Sequence, residues 1–159
     1  MPNRFCFFAG VAASLLISAQ HAEAGCRAVL GTIDARVVGG EPANVLGNVT
    51  GDLAGATWAV LRGRRMEKRD GTIALDLTHD FVTHTQGWLK TADHAVWTPI
   101  PGHDGIFLME TEYRIEDGGG TFAGARGTLT NRGIADTTTG LVTLRYQGEI
   151  CVDDTPPLR

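Results

Sequence analysis

The stretch GGGTFAGARGTLTNRGIADTTTGLVTLRYQGEIC, residues 118–151, decides the fold. Phe122, Ala123, Ala125 and Leu129 supply its first apolar positions. Val142, Leu144, Tyr146 and Ile150 then share one alternating phase. Alternation of this period is the mark of a half-buried β-strand, and the interspersed glycines mark turns, bends and close backbone contacts. Two strands therefore fall here, joined across residues 136–140. The stretch ends on Cys151, which has one evident partner elsewhere in the chain.

Working outward, period-two alternation recurs and no sustained helical periodicity is found from Gly25 onward. Residues 27–38 read as a strand, followed by a loop through Gly39, Gly40, Glu41 and Pro42. Residues 57–65 and 72–85 flank Arg69-Asp70-Gly71, where Asp-Gly is a strong hairpin signal. In the second of these strands Ile73, Leu75, Leu77, His79 and Phe81 share a face, with Asp76, Thr78 and Asp80 opposite. Residues 87–103 hold Trp88 and Trp97 and end in Pro99-Ile100-Pro101-Gly102. They read as a strand pair with a loop, or as a loop folded across an opening. Residues 105–116 form a clear strand, with Phe107, Met109, Thr111, Tyr113 and Ile115 on one face and Glu110, Glu112, Arg114 and Glu116 on the other. Ile106 and Leu108 make its first half apolar on both faces, which predicts a cover from the Pro-rich loop or another subunit. Seven to nine short strands without a helix predict an all-β sandwich or closed barrel.

Residues 1–24 read as a signal peptide: Arg4 precedes an apolar run, and Ala22-Glu23-Ala24 offers a small-x-small cleavage site. The alternative, a retained anchor, has only a short apolar segment to use. The expected mature chain from Gly25 is one β-barrel domain, secreted or periplasmic, large enough to bury about two-thirds of its unfolded surface. Cys6 leaves with the signal. Cys26 and Cys151 are then expected to form a disulfide in an oxidising compartment. That pairing brings the first and last strands together and favours a barrel over a sandwich. The competing use of Cys26 is lipid acylation, although Glu23 stands where bacterial lipoprotein signals usually carry leucine.

A formal charge of −4, and a basic cluster no larger than Arg62, Arg64, Arg65, Lys68 and Arg69, argue against nucleic-acid binding. Stable membrane insertion is not expected either. Asn48-Val-Thr50 matches the glycosylation pattern but is read as incidental.

The run Tyr113-Arg-Ile-Glu-Asp-Gly-Gly-Gly-Thr-Phe122-Ala-Gly-Ala-Arg-Gly127, continued by Gly133, Asp136, Gly140 and Arg145-Tyr146-x-Gly148-x-Ile-Cys151, resembles a segment of small secreted bacterial proteins. Those proteins are grouped with the allene oxide cyclase barrel, related in shape to dirigent proteins and calycins. The resemblance covers about residues 76–151, and the order Gly120-Thr121-Phe122 departs from it. It implies a closed antiparallel barrel of about eight strands with a cavity, often as homodimers or homotrimers. It transfers no functional residue.

The candidate ligand-binding residues are His79, Phe81, Trp88, Trp97, Tyr113 and Tyr146. His79 falls in phase with apolar neighbours, where it would contact a ligand or act as an acid–base group, or else be a satisfied core histidine. Tyr113 and Tyr146 share the apolar phases of their strands; their hydroxyls would orient a ligand or simply find a structural partner. Trp88 and Trp97 would line a cavity mouth or cap the barrel. A metal site from His79, His84, His94 and His103 has no tight ligand spacing. Glu110 and Glu112 share their face with Arg114 and Glu116, as a solvated charged surface does. There is no Gly-x-Ser-x-Gly elbow, and neither Cys26 nor Cys151 sits in a reactive context. No cofactor or metal is expected. The leading expectation is an exported barrel that binds a small apolar or amphipathic ligand without covalent catalysis. The alternatives are a cofactor-free cyclase or isomerase acting by confinement, with His79 as polar guide, and a structural or interaction protein of the cell envelope.

Overall fold

The computed structural model describes residues 25–62 and 66–152. The signal-peptide assignment, and Arg64 and Arg65 of the basic cluster, lie outside them. Nine strands follow one another: β1 (Gly25–Gly39), β2 (Asn44–Val49), β3 (Gly55–Leu61), β4 (Met66–Glu67), β5 (Ile73–Thr83), β6 (Trp88–Pro99), β7 (Ile106–Gly119), β8 (Arg126–Asp136) and β9 (Leu141–Val152).

Each long strand pairs antiparallel with its neighbours in chain order, β4 being a two-residue appendage of β5. β3 pairs with β5 and β9 returns to β1, so eight strands close into an up-and-down barrel. Closure leaves no long strand with an unpaired edge. The Asp-Gly turn behaves as its sequence demands: Asp70 accepts from the Thr72 amide at 3.0 Å while Gly71 takes φ +81°.

Cys26 and Cys151 stand opposite one another across the β1–β9 seam and are disulfide-bonded, 125 residues apart in sequence. The bond occupies the sulfur that acylation would need. In the chain-entropy model it stabilises by up to about 5 kcal/mol.

Alternation places one residue in two inside. Val29, Ile33, Val49, Leu144 and Ile150 fill the β9–β1–β2 side, and Leu77, Phe81, Leu89, Met109, Tyr113 and Leu129 the other. Two 3-10 turns, Gly51–Leu53 and Gly120–Phe122, drop Leu53 and Phe122 into the end that carries the disulfide. At the opposite end Trp97 and Phe107 meet with ring centroids 5.9 Å apart.

Two expectations need correction, and one strand is added. Residues 87–103 are neither a strand pair nor a folded-over loop: β6 is one continuous strand, and the segment after it is a tight turn. In that turn the Ile100 amide donates to the Ile106 carbonyl at 3.0 Å. Polar Thr91 and Asp93 occupy inward positions of β6, which hides its alternation. The turn also leaves Leu108 exposed beside Ile134, so the Pro-rich segment does not cover β7. Finally, residues 44–49, left without an element by the sequence, form β2. Gly47 falls on its inward side, where Ala35 and the Asp34 carbonyl lie too close for any Cβ.

Candidate functional site

Three adjacent strands carry polar residues on their inward faces, where a barrel of this size normally stacks apolar side chains. On β6 these are Thr91 and Asp93, on β7 Thr111 and Tyr113, and on β8 Asn131. His79 faces them from β5. The register brings them together: Thr91 lies opposite His79, Asp93 opposite Tyr113, and Thr111 opposite both Ala95 and Asn131.

His79 Nδ1 donates to Asp93 Oδ2 at 2.6 Å, with the two side chains 8% and 0% exposed. The Asn131 amide donates to the Tyr113 hydroxyl. Burial first, and then the negative charge of Asp93, hold the Tyr113 phenol well above its ordinary pKa, against a smaller pull from Asn131. Tyr113 is therefore a neutral hydroxyl at any physiological pH. Its ring meets His79 edge-on at 5.1 Å and Phe81 at 5.9 Å, and His79 stacks on Phe81 at 5.6 Å.

The network is incomplete. Among the described residues, Thr91 Oγ1, Asp93 Oδ1, Trp97 Nε1, Thr111 Oγ1 and Asn131 Oδ1 are buried without a hydrogen-bond partner in the protein. Each such atom costs about 1–3 kcal/mol if nothing satisfies it. All five lie on the inward faces of β6, β7 and β8: Asp93, Trp97 and Thr111 border Ala95, Asn131 pairs with Thr111, and Thr91 lies further along β6.

Tyr146 belongs to a different arrangement. It passes Gly31, where a Cβ would collide with both its ring and the Thr50 carbonyl. Its hydroxyl then donates to the Thr50 carbonyl at 2.8 Å and accepts from the Leu53 amide at 3.0 Å. This hydroxyl anchors the turn that closes the barrel end.

Of the sequence candidates, then, His79, Phe81 and Tyr113 come together, and Trp97 lies on the same strand as Asp93, nearer the end away from the disulfide. Trp88 stands on the outer face, 41% exposed, opposite Val82 and Gly119. The other histidines among the described residues are scattered: His94 is exposed and bound to Asp76 at 2.9 Å, while His84 and His103 sit in turns at opposite ends. Glu110 and Glu112 border an outer groove of about 710 Å³ with His94, Arg132 and Arg145, and Arg132 bonds Glu110. Asp93, Asn131, Thr91 and Thr111 were not singled out as site residues by the sequence. The available signal was the phase Leu89, Thr91, Asp93, Ala95, Trp97, in which polar groups take the turn of apolar ones.

No protein-family model matches this chain, and no curated protein matches it. Among solved structures, a pterocarpan synthase dirigent protein is similar. It shares 15% identity at a TM-score of 0.35, over 92% of this chain and 100% of that one. The barrel assignment itself stands on the strand pairing.

Proposed function

We propose that this protein is an exported barrel of the allene oxide cyclase kind that binds a small amphipathic molecule in its interior, without covalent catalysis. One observation carries the reading: unpartnered polar atoms of Asp93, Thr111 and Asn131 occupy neighbouring inward positions of β6, β7 and β8, with those of Thr91 and Trp97 further along β6. A core built only for packing would not leave such atoms on adjacent strands, because replacing them with apolar groups of similar shape removes the penalty. The disulfide between Cys26 and Cys151 suits the oxidising compartment that the N-terminal segment implies.

Native mass spectrometry of gently purified protein, paired with a high-resolution crystal structure, tests this. The expected result is a non-protein mass and matching density touching Asp93 and Asn131. Bare protein mass, with ordered water alone satisfying the five atoms, overturns the reading.

The pairing of His79 with Asp93 at 2.6 Å favours a second reading, proton transfer during a cofactor-free cyclisation or isomerisation. A carboxylate that fixes one imidazole nitrogen directs the other as a base. Loss of turnover of an epoxide or polyene in His79→Gln, with folding intact, supports it; unchanged turnover counts against it.

A further inference from the structure

We infer that the interior site selects a protonated amine: a small molecule with an ammonium head and an apolar, preferably aromatic, body. The inference rests on the interior-binding reading above and adds the chemistry of the ligand.

The unpartnered atoms are unequal in kind. Asp93 Oδ1 and Asn131 Oδ1 only accept hydrogen bonds, Trp97 Nε1 only donates, and the Thr91 and Thr111 hydroxyls do either. The Tyr113 hydroxyl, which accepts from Asn131, also has a proton to give, and the two acceptor-only oxygens call for an occupant that brings donors. An ammonium group carries three donors and accepts nothing.

Charge points the same way. Among the described residues Asp93 is the buried acid, its side chain fully enclosed, and His79 engages only one of its two oxygens. Among the described residues no lysine or arginine is buried. A cation placed against Asp93 Oδ1 supplies both the missing hydrogen bond and a counter-charge. A carboxylate or phosphate there would face Asp93 with no buried arginine or lysine to receive it.

The surroundings suit an organic cation. Tyr113 stands directly across from Asp93, with Phe81 next to its ring, and Trp97 lies four residues along the same strand as Asp93. Aromatic faces attract cations where water is excluded. Trp97 and Phe107, partly buried at the end away from the disulfide, pack together on the apolar core.

Isothermal titration of the processed protein at pH 7 with three ligands of nearly equal shape separates charge from fit: 2-phenylethylamine, 2-phenylethanol and phenylacetate. The amine is expected to bind at least tenfold more tightly than the alcohol, and the acid not measurably. Asp93→Asn should bring the amine down to the affinity of the alcohol. Thr111→Val should weaken the amine about threefold, a check that holds even if the Asp93 variant fails to fold. Equal binding of amine and alcohol overturns the charge inference while leaving interior binding in place. Tighter binding of the acid overturns it outright, as does a failure of all three ligands when native mass spectrometry shows an adduct.

Discussion

Two tyrosines buried in the same barrel have opposite surroundings. Tyr146, on the β9 side, gives and receives hydrogen bonds with main-chain groups, and both of its partners belong to the turn it holds down. Tyr113, on the β7 side, meets only the side chain of Asn131, which itself keeps an unpartnered oxygen. A hydroxyl paired with backbone is part of the scaffold. A hydroxyl in a side-chain network with loose ends belongs to a region where something else completes the network. The contrast divides the barrel into a seam half, around β9, β1 and β2, and an interior polar half on β5 to β8.

The largest effect expected belongs to the seam. Replacing Cys26 and Cys151 together by alanine should cost up to about 5 kcal/mol, read from urea unfolding with and without reductant. Under conditions where this variant is still folded, its amine affinity should match that of the parent. A parallel fall in affinity would show that the two halves are not independent, and the division would have to be abandoned.

The next test sets the tyrosines against each other. Tyr146→Phe strands the Leu53 amide and should cost about 2 kcal/mol, the penalty for an unsatisfied buried donor. Binding should be unaffected. Tyr113→Phe strands the Asn131 amide donor in the same way and should cost a similar amount, yet weaken binding several-fold. The reverse pattern in titration experiments would exchange the roles of the two halves.

This division was only half legible in the sequence. Apolar alternation exposed β5, β7 and β9, because a strand with one face in the core must repeat every second residue. It placed His79, Phe81, Tyr113 and Tyr146 inside correctly. It could not separate the two tyrosines, because their partners lie 18 and more than 90 residues away. It also passed over β6, whose inward face carries Thr91 and Asp93 while Trp88 points outward. A polar interior inverts the pattern on which strand recognition depends. The residues on which the proposed site rests are therefore the ones that blur the reading of the fold. Trp88, expected to line a cavity mouth or cap the barrel, stands instead on its outer face.

A smaller effect, with an informative sign, is expected from Thr111→Val. In a scaffold position, removing a hydroxyl breaks a bond and destabilises. Here the hydroxyl is buried without a partner in the protein, so its removal should raise stability by about 1 kcal/mol in ligand-free protein. Binding should weaken at the same time. Such an exchange of stability against function is characteristic of residues kept for a ligand. Destabilisation on unfolding in urea would instead mean that bound water already satisfies Thr111.

The smallest effect concerns a carboxylate that contrasts with Asp93. Asp136, in the exposed turn between β8 and β9, accepts from the Thr138 hydroxyl at 2.6 Å, the Thr138 amide at 2.8 Å and the Thr139 amide at 3.3 Å. Hydrogen bonding by Thr138, and then by Thr139, lowers its pKa to about 2. A depressed pKa means that the folded state favours the charged form. The stabilisation is complete above the ordinary carboxylate range, about pH 4, and disappears as pH falls through about 2. Hydrogen exchange at the Thr138 amide should accelerate across that window beyond the intrinsic change in exchange rate. Thr138→Val should shift the titration of Asp136 upward by removing its strongest donor. Because Asp136 sits partly exposed at the surface, where solvent screens its charge, global stability should hardly respond. Asp136 has its donors built into its own turn, whereas Asp93 has one histidine and an unclaimed oxygen. If amine binding survives Asp93→Asn undiminished, that oxygen is as idle as an exposed one would be, and the distinction between the two carboxylates loses its meaning.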